Sequence, residues 1–387
     1  MAEMMRFFDE RVPFHGALRA HKGDLRPLLY AGMRSGKISA SDLEEIGGIV
    51  KTSIEKRGTL TPRMQWGINE AFIHAQQKRF PEALSELRSA FFWSNPDNLR
   101  KLERHFRSNG INLTLGRELL SQTAHVFSGN YKGKRVVVKL TVRPPLHPTV
   151  ERHIVQVPVA HQLYESPTPF IPGHLSVVNH LPGKIAVKAI EDGAPVMATF
   201  HNMGKALAKI HSNPMTPQLR RLFPVPTRLW RPIAQETSKD VSAIATAFNL
   251  DSATVRKISR VLNTKLKEPS ACVLHNDFHE ENILVDEAGN VSGVIDFQGA
   301  KFGDPMSDLA KAMYYARKTE ELYGFKGASI ALRNGYHQEK PLSADAKVRL
   351  NHFYLATAIS LATPYLNNEE VKPTVKKLLL EALKRIS

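Results

Sequence analysis

The chain has 387 residues, 42% apolar and 23% charged, with a formal net charge of +16 and a single cysteine. That length suits two or three folding units, and the lone Cys272, in the apolar run Cys272-Val273-Leu274, excludes an internal disulfide framework and reads as an inert buried thiol. No run of about eighteen apolar residues occurs, so no membrane span is expected. The N-terminus MAEMMRFFDERVPFHG breaks its apolar residues with charges and lacks the apolar stretch of a secretory signal. The expected location is therefore cytoplasmic, or a cytosol reached without a cleaved signal. Lys and Arg are scattered, without aromatic interleaving or zinc-finger spacing, so the basic excess reads as a surface property and not as a nucleic-acid module.

Residues 1–112 read as an all-α N-terminal domain. Ser41-Asp42-Leu43-Glu44 has the form of a capping box, followed by Leu43, Ile46, Ile49, Val50 and Ile54 on one side of a helix that Gly58 ends. Thr61-Pro62 opens a second helix, Phe80-Pro81 a third, and Asn95-Pro96-Asp97 a fourth that Asn109-Gly110 closes. The stretch from Trp66 to Pro96 faintly resembles one tetratricopeptide repeat, but no second copy follows and one repeat cannot bury its own faces. A small bundle packed against the rest of the chain is the expectation, and no chemistry is visible in it.

Residues 113–192 change period toward two. Arg117 to Leu120, His125 to Gly129 and Arg135 to Thr141 predict three antiparallel strands, the last two joined at Tyr131-Lys132-Gly133-Lys134. Lys139 follows Val136-Val137-Val138, a pattern that sets a point charge on a strand where nucleotide phosphates can be met. An acid should pair with it. Glu151 is the first choice and Glu165 the alternative. Val177-Val178 and Ile185 to Ile190 predict two further strands around Leu181-Pro182-Gly183.

Residues 193–387 are mainly helical in pattern, interrupted by HNDFHEENILVDEAGNVSGVIDF from His275 to Phe297. Two apolar runs, Ile283-Leu284-Val285 and Val291 to Ile295, flank the turn formers Asp286 to Asn290 and predict a hairpin. A tight hairpin carries Asn282 and Asp296 to one edge, with Asp277 just upstream. An acid, an amide and a second acid at this spacing are what phosphoryl transfer requires. One carboxylate orients the acceptor hydroxyl, while an amide oxygen and another carboxylate hold magnesium on the phosphates.

This stretch resembles the catalytic segment of the aminoglycoside phosphotransferase family, whose pattern is HGDxHxxN followed by a strand and IDF or IDW; choline, homoserine and fructosamine kinases are similar. Gly303-Asp304-Pro305-Met306-Ser307-Asp308-Leu309-Ala310 resembles the GDPxxDLA segment of that family, and Met203 to Ser212 its LGxxLAxLH helix. The resemblance implies an α+β, two-lobed protein-kinase-like fold, with a nucleotide-binding small lobe at 113–192 and a large lobe at 193–387. It implies Asp277 as catalytic base, His275 as a brace, Asn282 and Asp296 on Mg2+, and Lys139 on the phosphates of ATP or GTP. Ser121 and Thr123 stand where protein kinases carry phosphate-covering glycines. Glu191-Asp192-Gly193 resembles the family's exit from the small lobe, which puts the backbone of Lys188 to Ile190 against adenine. His211 and Asp304 read as structural, and Asp308 as a support behind the catalytic loop.

Asn276 replaces the family's glycine, and Glu280-Glu281 replace its more frequent PG. Those acids either face a cationic acceptor or are solvated. Asp308 follows Asp296 too soon for the long activation segment of a regulated protein kinase, which favours a small-molecule hydroxyl acceptor, a polar metabolite or an antibiotic. The rivals are a kinase-like effector acting on a protein or phosphoinositide, and a pseudokinase scaffold whose N-terminal domain binds a protein partner. The intact Lys139, Asp277, Asn282 and Asp296 argue against the scaffold.

Overall fold

In the computed structural model, residues 19–20, 23–57, 60–119, 124–141, 150–222, 226, 228–366 and 371–386 are described. The chain divides into two compact units, Met1–Pro145 with His161–His180, and Leu146–Ala160 with Leu181–Ser387.

The first unit begins with the two-residue strands β1 (Arg19–Ala20) and β2 (Gly23–Asp24), paired antiparallel. Helices α1 (Arg26–Arg34), α2 (Ala40–Arg57), α3 (Pro62–Gln76), α4 (Phe80–Phe92) and α5 (Pro96–Ser108) follow. The capping box of α2 is set two residues earlier than predicted. Ser39 Oγ accepts from the Asp42 amide at 3.0 Å, and Asp42 Oδ2 accepts from the Ser39 amide at 3.1 Å. Thr61 and Asn95 cap α3 and α5 through their side chains, as their position before proline suggests. Gly110, at φ 75°, stops α5. The expected stop at Gly58 lies outside the described residues.

Leu43, Ile46 and Val50 of α2, Ile68 and Phe72 of α3, and Leu84, Leu87 and Phe91 of α4 form one apolar core. A second core is shared with a sheet. Trp93, with Leu102 and Phe106 of α5, packs with Leu113, Phe127, Val136, Val138, Leu140, Leu175 and Val177. The sheet residues of this core line one face of β3 (Leu113–Leu119), β4 (His125–Tyr131), β5 (Lys134–Thr141) and β7 (His174–Asn179), which with β6 (Gln162–Pro167) form an antiparallel sheet of order β3-β4-β5-β7-β6. The three strands predicted between 117 and 141 are present, the first beginning earlier, at Leu113; the strand predicted at Val177-Val178 is β7, and β6 pairs beside it.

In the second unit β8 (Lys184–Ile185) leads into α6 (Ala186–Glu191) and α7 (Val196–Ile210). Here the expectation of a strand through Ile190 is corrected. Only Lys184 and Ile185 pair, with Val285 and Leu284. Ala186 and Ala189 then turn one buried side inward as helical residues. The carbonyls of Lys188 and Ile190 accept from Asp192 and Gly193 at the end of α6, so these two residues present no strand edge to an adenine. The Lys188 side chain is exposed and pairs with Glu191 and Asp192.

Three helices follow, α8 (Pro217–Leu222), α9 (Arg231–Phe248) and α10 (Ser252–Leu262), the last capped by the Asp251 side chain. Short strands β9 (Cys272–Leu274), β10 (Ile283–Val285), β11 (Val291–Val294) and β12 (Lys301–Gly303) precede α11 (Pro305–Tyr323), α12 (Ala328–Glu339), α13 (Ala344–Ala362) and α14 (Lys372–Lys384). Strands β8, β10 and β11 form one antiparallel sheet, and β9 pairs with β12. Among the described residues no helix is long and apolar enough to cross a membrane.

Candidate active site

The predicted hairpin exists. Ile283 pairs with Val294, and Asp286 Oδ1 closes the turn by accepting from the amides of Ala288 and Asn290. One step beyond that pair the Ile295 amide donates to Asn282 O at 3.0 Å, so Asn282 and Asp296 leave the hairpin at the same end. Asp296 has φ 68° and ψ 58°, a left-handed conformation that costs an L-residue about 1–2 kcal/mol unless its surroundings impose it. Such residues gather where the backbone must aim a side chain.

Upstream, β9 delivers His275 into a loop whose turn is made by Asn276 at φ 63°. Glycine would take that conformation freely, and asparagine is among the side chains that tolerate it. Asn276 thus takes a backbone conformation that glycine would also accept. Asp308, 1% exposed, holds the turn from behind. Its Oδ2 accepts from the His275 amide at 2.7 Å and its Oδ1 from the Asn276 amide at 2.9 Å. His211 Nε2 lies 3.2 Å from the same Oδ2, and its Nδ1 lies 2.9 Å from the Tyr336 hydroxyl. The tautomer that donates to Asp308 leaves Nδ1 to accept from Tyr336. Burial pushes the Asp308 carboxyl up, but the hydrogen bonds from His211 and the His275 amide outweigh it and hold the carboxyl below its ordinary value.

The His275 ring fixes the loop from within. Nε2 donates to Ile295 O at 2.9 Å, which ties the loop to the residue before Asp296, and Nδ1 accepts from the Asp277 amide at 3.3 Å. Burial lowers its basicity, in keeping with a neutral ring that donates once and accepts once. His275, His211 and Asp308 thus brace the loop through hydrogen bonds. Asp304 is structural too: it caps α11 through Met306 N at 2.9 Å and pairs with Arg349 at 2.7 Å.

Asp277 emerges from this frame with its side chain 43% exposed. Asn282 Nδ2 donates to Asp277 O at 2.8 Å and lies 3.3 Å from Oδ2, so the donor side of the amide is committed to the loop. His279 Nε2 stands 3.4 Å from Asp277 Oδ2. Lys311 Nζ stands 3.3 Å from Oδ1 and donates to Asn276 O at 2.6 Å. Burial raises the Asp277 carboxyl, yet the His279 hydrogen bond and the Lys311 charge together hold it well below the carboxylate range. In return, although burial disfavours its charge, His279 is raised by Asp277.

Lys311 escaped the sequence reading. The available signal was its place on α11, three residues after Asp308 and four before Tyr315, one helical stripe behind the loop. Tyr315 completes the group: its ring lies 5.0 Å from that of His279 and 5.8 Å from Lys311 Nζ. Of the two loop acids, Glu280 is hydrogen-bonded to Thr319 while Glu281 is exposed.

The donor set suits magnesium better than a metal held by protein alone. Among the described residues no group of three or more His, Cys, Asp or Glu could hold an ion. An amide oxygen with one carboxylate fits a cation that shares its remaining positions with phosphates and water. Lys139 sits on β5 opposite Val126 and Ser176, in the first unit, whereas Glu151 begins a short turn, Glu151–His153, in the second. Glu165, the alternative acid, pairs with His174 at 3.0 Å within the sheet. Ser121 and Thr123 lie outside the described residues.

An antiparallel sheet unit, a helical unit and a hairpin bearing this acid–amide–acid set define a kinase-type phosphotransferase of protein-kinase-like fold. Residues 147–342 match the phosphotransferase enzyme family typified by the aminoglycoside phosphotransferases, and the chain belongs to that family. Three solved structures share the fold. A putative aminoglycoside phosphotransferase from Ralstonia eutropha JMP134 is 14% identical, with a TM-score of 0.52 over 74% of this chain and 98% of that one. A thermostable mutant of aminoglycoside phosphotransferase APH(4)-Ia, in ternary complex with ADP and hygromycin B, is 15% identical, with a TM-score of 0.51 over 73% and 98%. Macrolide 2'-phosphotransferase MphH from Brachybacterium faecium is 16% identical, with a TM-score of 0.51 over 73% and 98%. No curated protein matches the chain.

Proposed function

We propose that this enzyme transfers the γ-phosphoryl group of ATP or GTP to a hydroxyl of a small polar metabolite or antibiotic. One observation carries the reading: Asn282 donates to Asp277 while its own carbonyl is tied to Ile295, so base, amide and second acid share one hairpin end. Asp277 orients the acceptor hydroxyl and receives its proton, and Lys311 and His279 hold that carboxylate in place. Asn282 and Asp296 would hold Mg2+, whose role is to neutralise charge on the phosphates. Lys139 binds the α- and β-phosphates. The neighbour solved with ADP and hygromycin B supports a nucleotide donor and a small-molecule acceptor.

The test incubates γ-labelled ATP and magnesium with a cell extract and either the wild type or Asp277→Asn. Label should enter the small-molecule pool, beyond free phosphate, with the wild type only. Loss of the general base should slow it by on the order of 10²–10⁴-fold. Label confined to protein or lipid would overturn the acceptor class, and equal turnover in Asp277→Asn would overturn the mechanism.

A further inference from the structure

The N-terminal helices precede the family match and have no part in the reaction as described. Within the first unit, however, they reach the back of the strand that carries Lys139. Along β5 the residues Val136, Val138 and Leu140 are buried, and Val137, Lys139 and Thr141 alternate with them. The buried set packs with Trp93, Leu102 and Phe106, so the helices support one face of the sheet while Lys139 stands on the other.

Three polar residues fasten this support at the level of Lys139. The Arg57 guanidinium, at the end of α2, donates from Nε to Ser94 O at 2.6 Å and from Nη2 to Glu118 Oε2 at 2.8 Å. The other Glu118 oxygen lies 3.1 Å from His125 Nδ1, and His125 Nε2 lies 3.1 Å from Ala90 O. His125 is fully buried, and the Arg57 and Glu118 side chains are 28% and 24% exposed. Burial pushes the Glu118 carboxyl up, but His125 and Arg57 outweigh it and keep the carboxyl below its usual range.

The strand register connects these contacts to the lysine. Glu118 precedes Leu119, Leu119 pairs with Val126, and Val126 pairs with Lys139; His125 pairs with Leu140. A β-bulge between Leu115 and Glu118 breaks the ladder before this row, where a Cβ on Gly116 would lie 2.8 Å from Ser128 Oγ. The row is therefore set from the Glu118 end, two strand spacings or roughly 10 Å from Lys139. We infer that Arg57, Glu118 and His125 act as positioning residues, a latch through which the N-terminal helices set Lys139 for the nucleotide. This rests on the reading of Lys139 as the phosphate-binding lysine.

The full-length chain is compared with Arg57→Ala and Arg57→Lys, with Lys51→Ala, from an exposed pair with Glu55, as control. Two quantities are measured: the dissociation constant for ATP with magnesium, and amide hydrogen exchange over Lys134–Thr141. Arg57→Ala should weaken ATP by about tenfold or more, as misplacement of a binding group does, and should speed exchange in β5. Arg57→Lys should recover most of both, and Lys51→Ala should alter neither. A folded Arg57→Ala chain with unchanged ATP affinity and unchanged exchange would overturn the latch. Should that variant fail to fold, Glu118→Gln, which keeps the side-chain shape and removes its charge, is judged by the same criteria. If the wild type binds no ATP, the reading of Lys139 fails, and the exchange comparison alone decides the latch.

Discussion

At the residue scale the Asp277 carboxylate, the proposed base, is held from several sides before any substrate arrives. Lys311 faces Oδ1, His279 faces Oδ2, and Lys311 also grips the carbonyl of Asn276, whose left-handed turn aims the loop. Lys311 therefore fixes both the Asp277 carboxylate and the backbone that presents it. Replacing it by methionine keeps the aliphatic stem and removes the charge. Lys311→Met should lower turnover on the order of 10²-fold through misplacement of Asp277, with Lys311→Arg less affected. Initial rates at saturating nucleotide read this, with circular dichroism confirming the fold, and equal rates would remove Lys311 from the account. Asp277, Asn282 and Asp296 were legible because they lie on one contiguous stretch with strong turn signals. Lys311 was not, since it lies 34 residues from Asp277 and meets it only when α11 packs behind the loop.

At the element scale two outcomes contrast. The β10–β11 hairpin appears where apolar alternation and turn formers agree. The stretch from Ile185 to Ile190 was misread because a short apolar run suits a strand or a buried helical turn equally well. Of these residues only Ile185 finds a pairing partner on β10, beside Lys184 just before it, and the rest turn into helix. The crossing of α7 and α12 depends on glycine. A Cβ on Gly204 would collide with Leu332 O and lie 2.7 Å from Tyr336 N, and one on Gly335 would collide with His201 O. This close approach brings Tyr336 to His211, and through it to Asp308. Gly204→Ala should therefore cost about 1–3 kcal/mol by overpacking, and should lower activity at temperatures where the variant is still folded. Denaturant titration beside activity measures both, and an unchanged midpoint would refute the dependence.

At the scale of the whole molecule, the boundary expected at 112/113 falls inside an apolar core. Trp93, Leu102 and Phe106 lie N-terminal to it and are buried against sheet residues C-terminal to it. Each large apolar side chain so buried contributes about 1.5–3 kcal/mol. A chain beginning at residue 113 should therefore be markedly less stable than one beginning at residue 93, in a thermal melt of the two side by side. Equal melting temperatures would show that the sheet does not need α5.

The sequence by itself determined what depends on local spacing. It set the helix caps before Pro62 and Pro96, the strands through Val136–Val138, the hairpin, and the order of acid, amide and acid that marks the family. These signals survive in one dimension because turns, caps and pleats are built from neighbours. Tertiary structure alone decided the partners that approach from other elements: Lys311 and Tyr315 from α11, His211 beside Asp308, and Arg57 from α2 at the back of the sheet. Their chemistry is ordinary in sequence. It becomes specific only through packing, because contacts at 3 Å across helices and strands follow from how cores fill and leave no periodic trace in the chain.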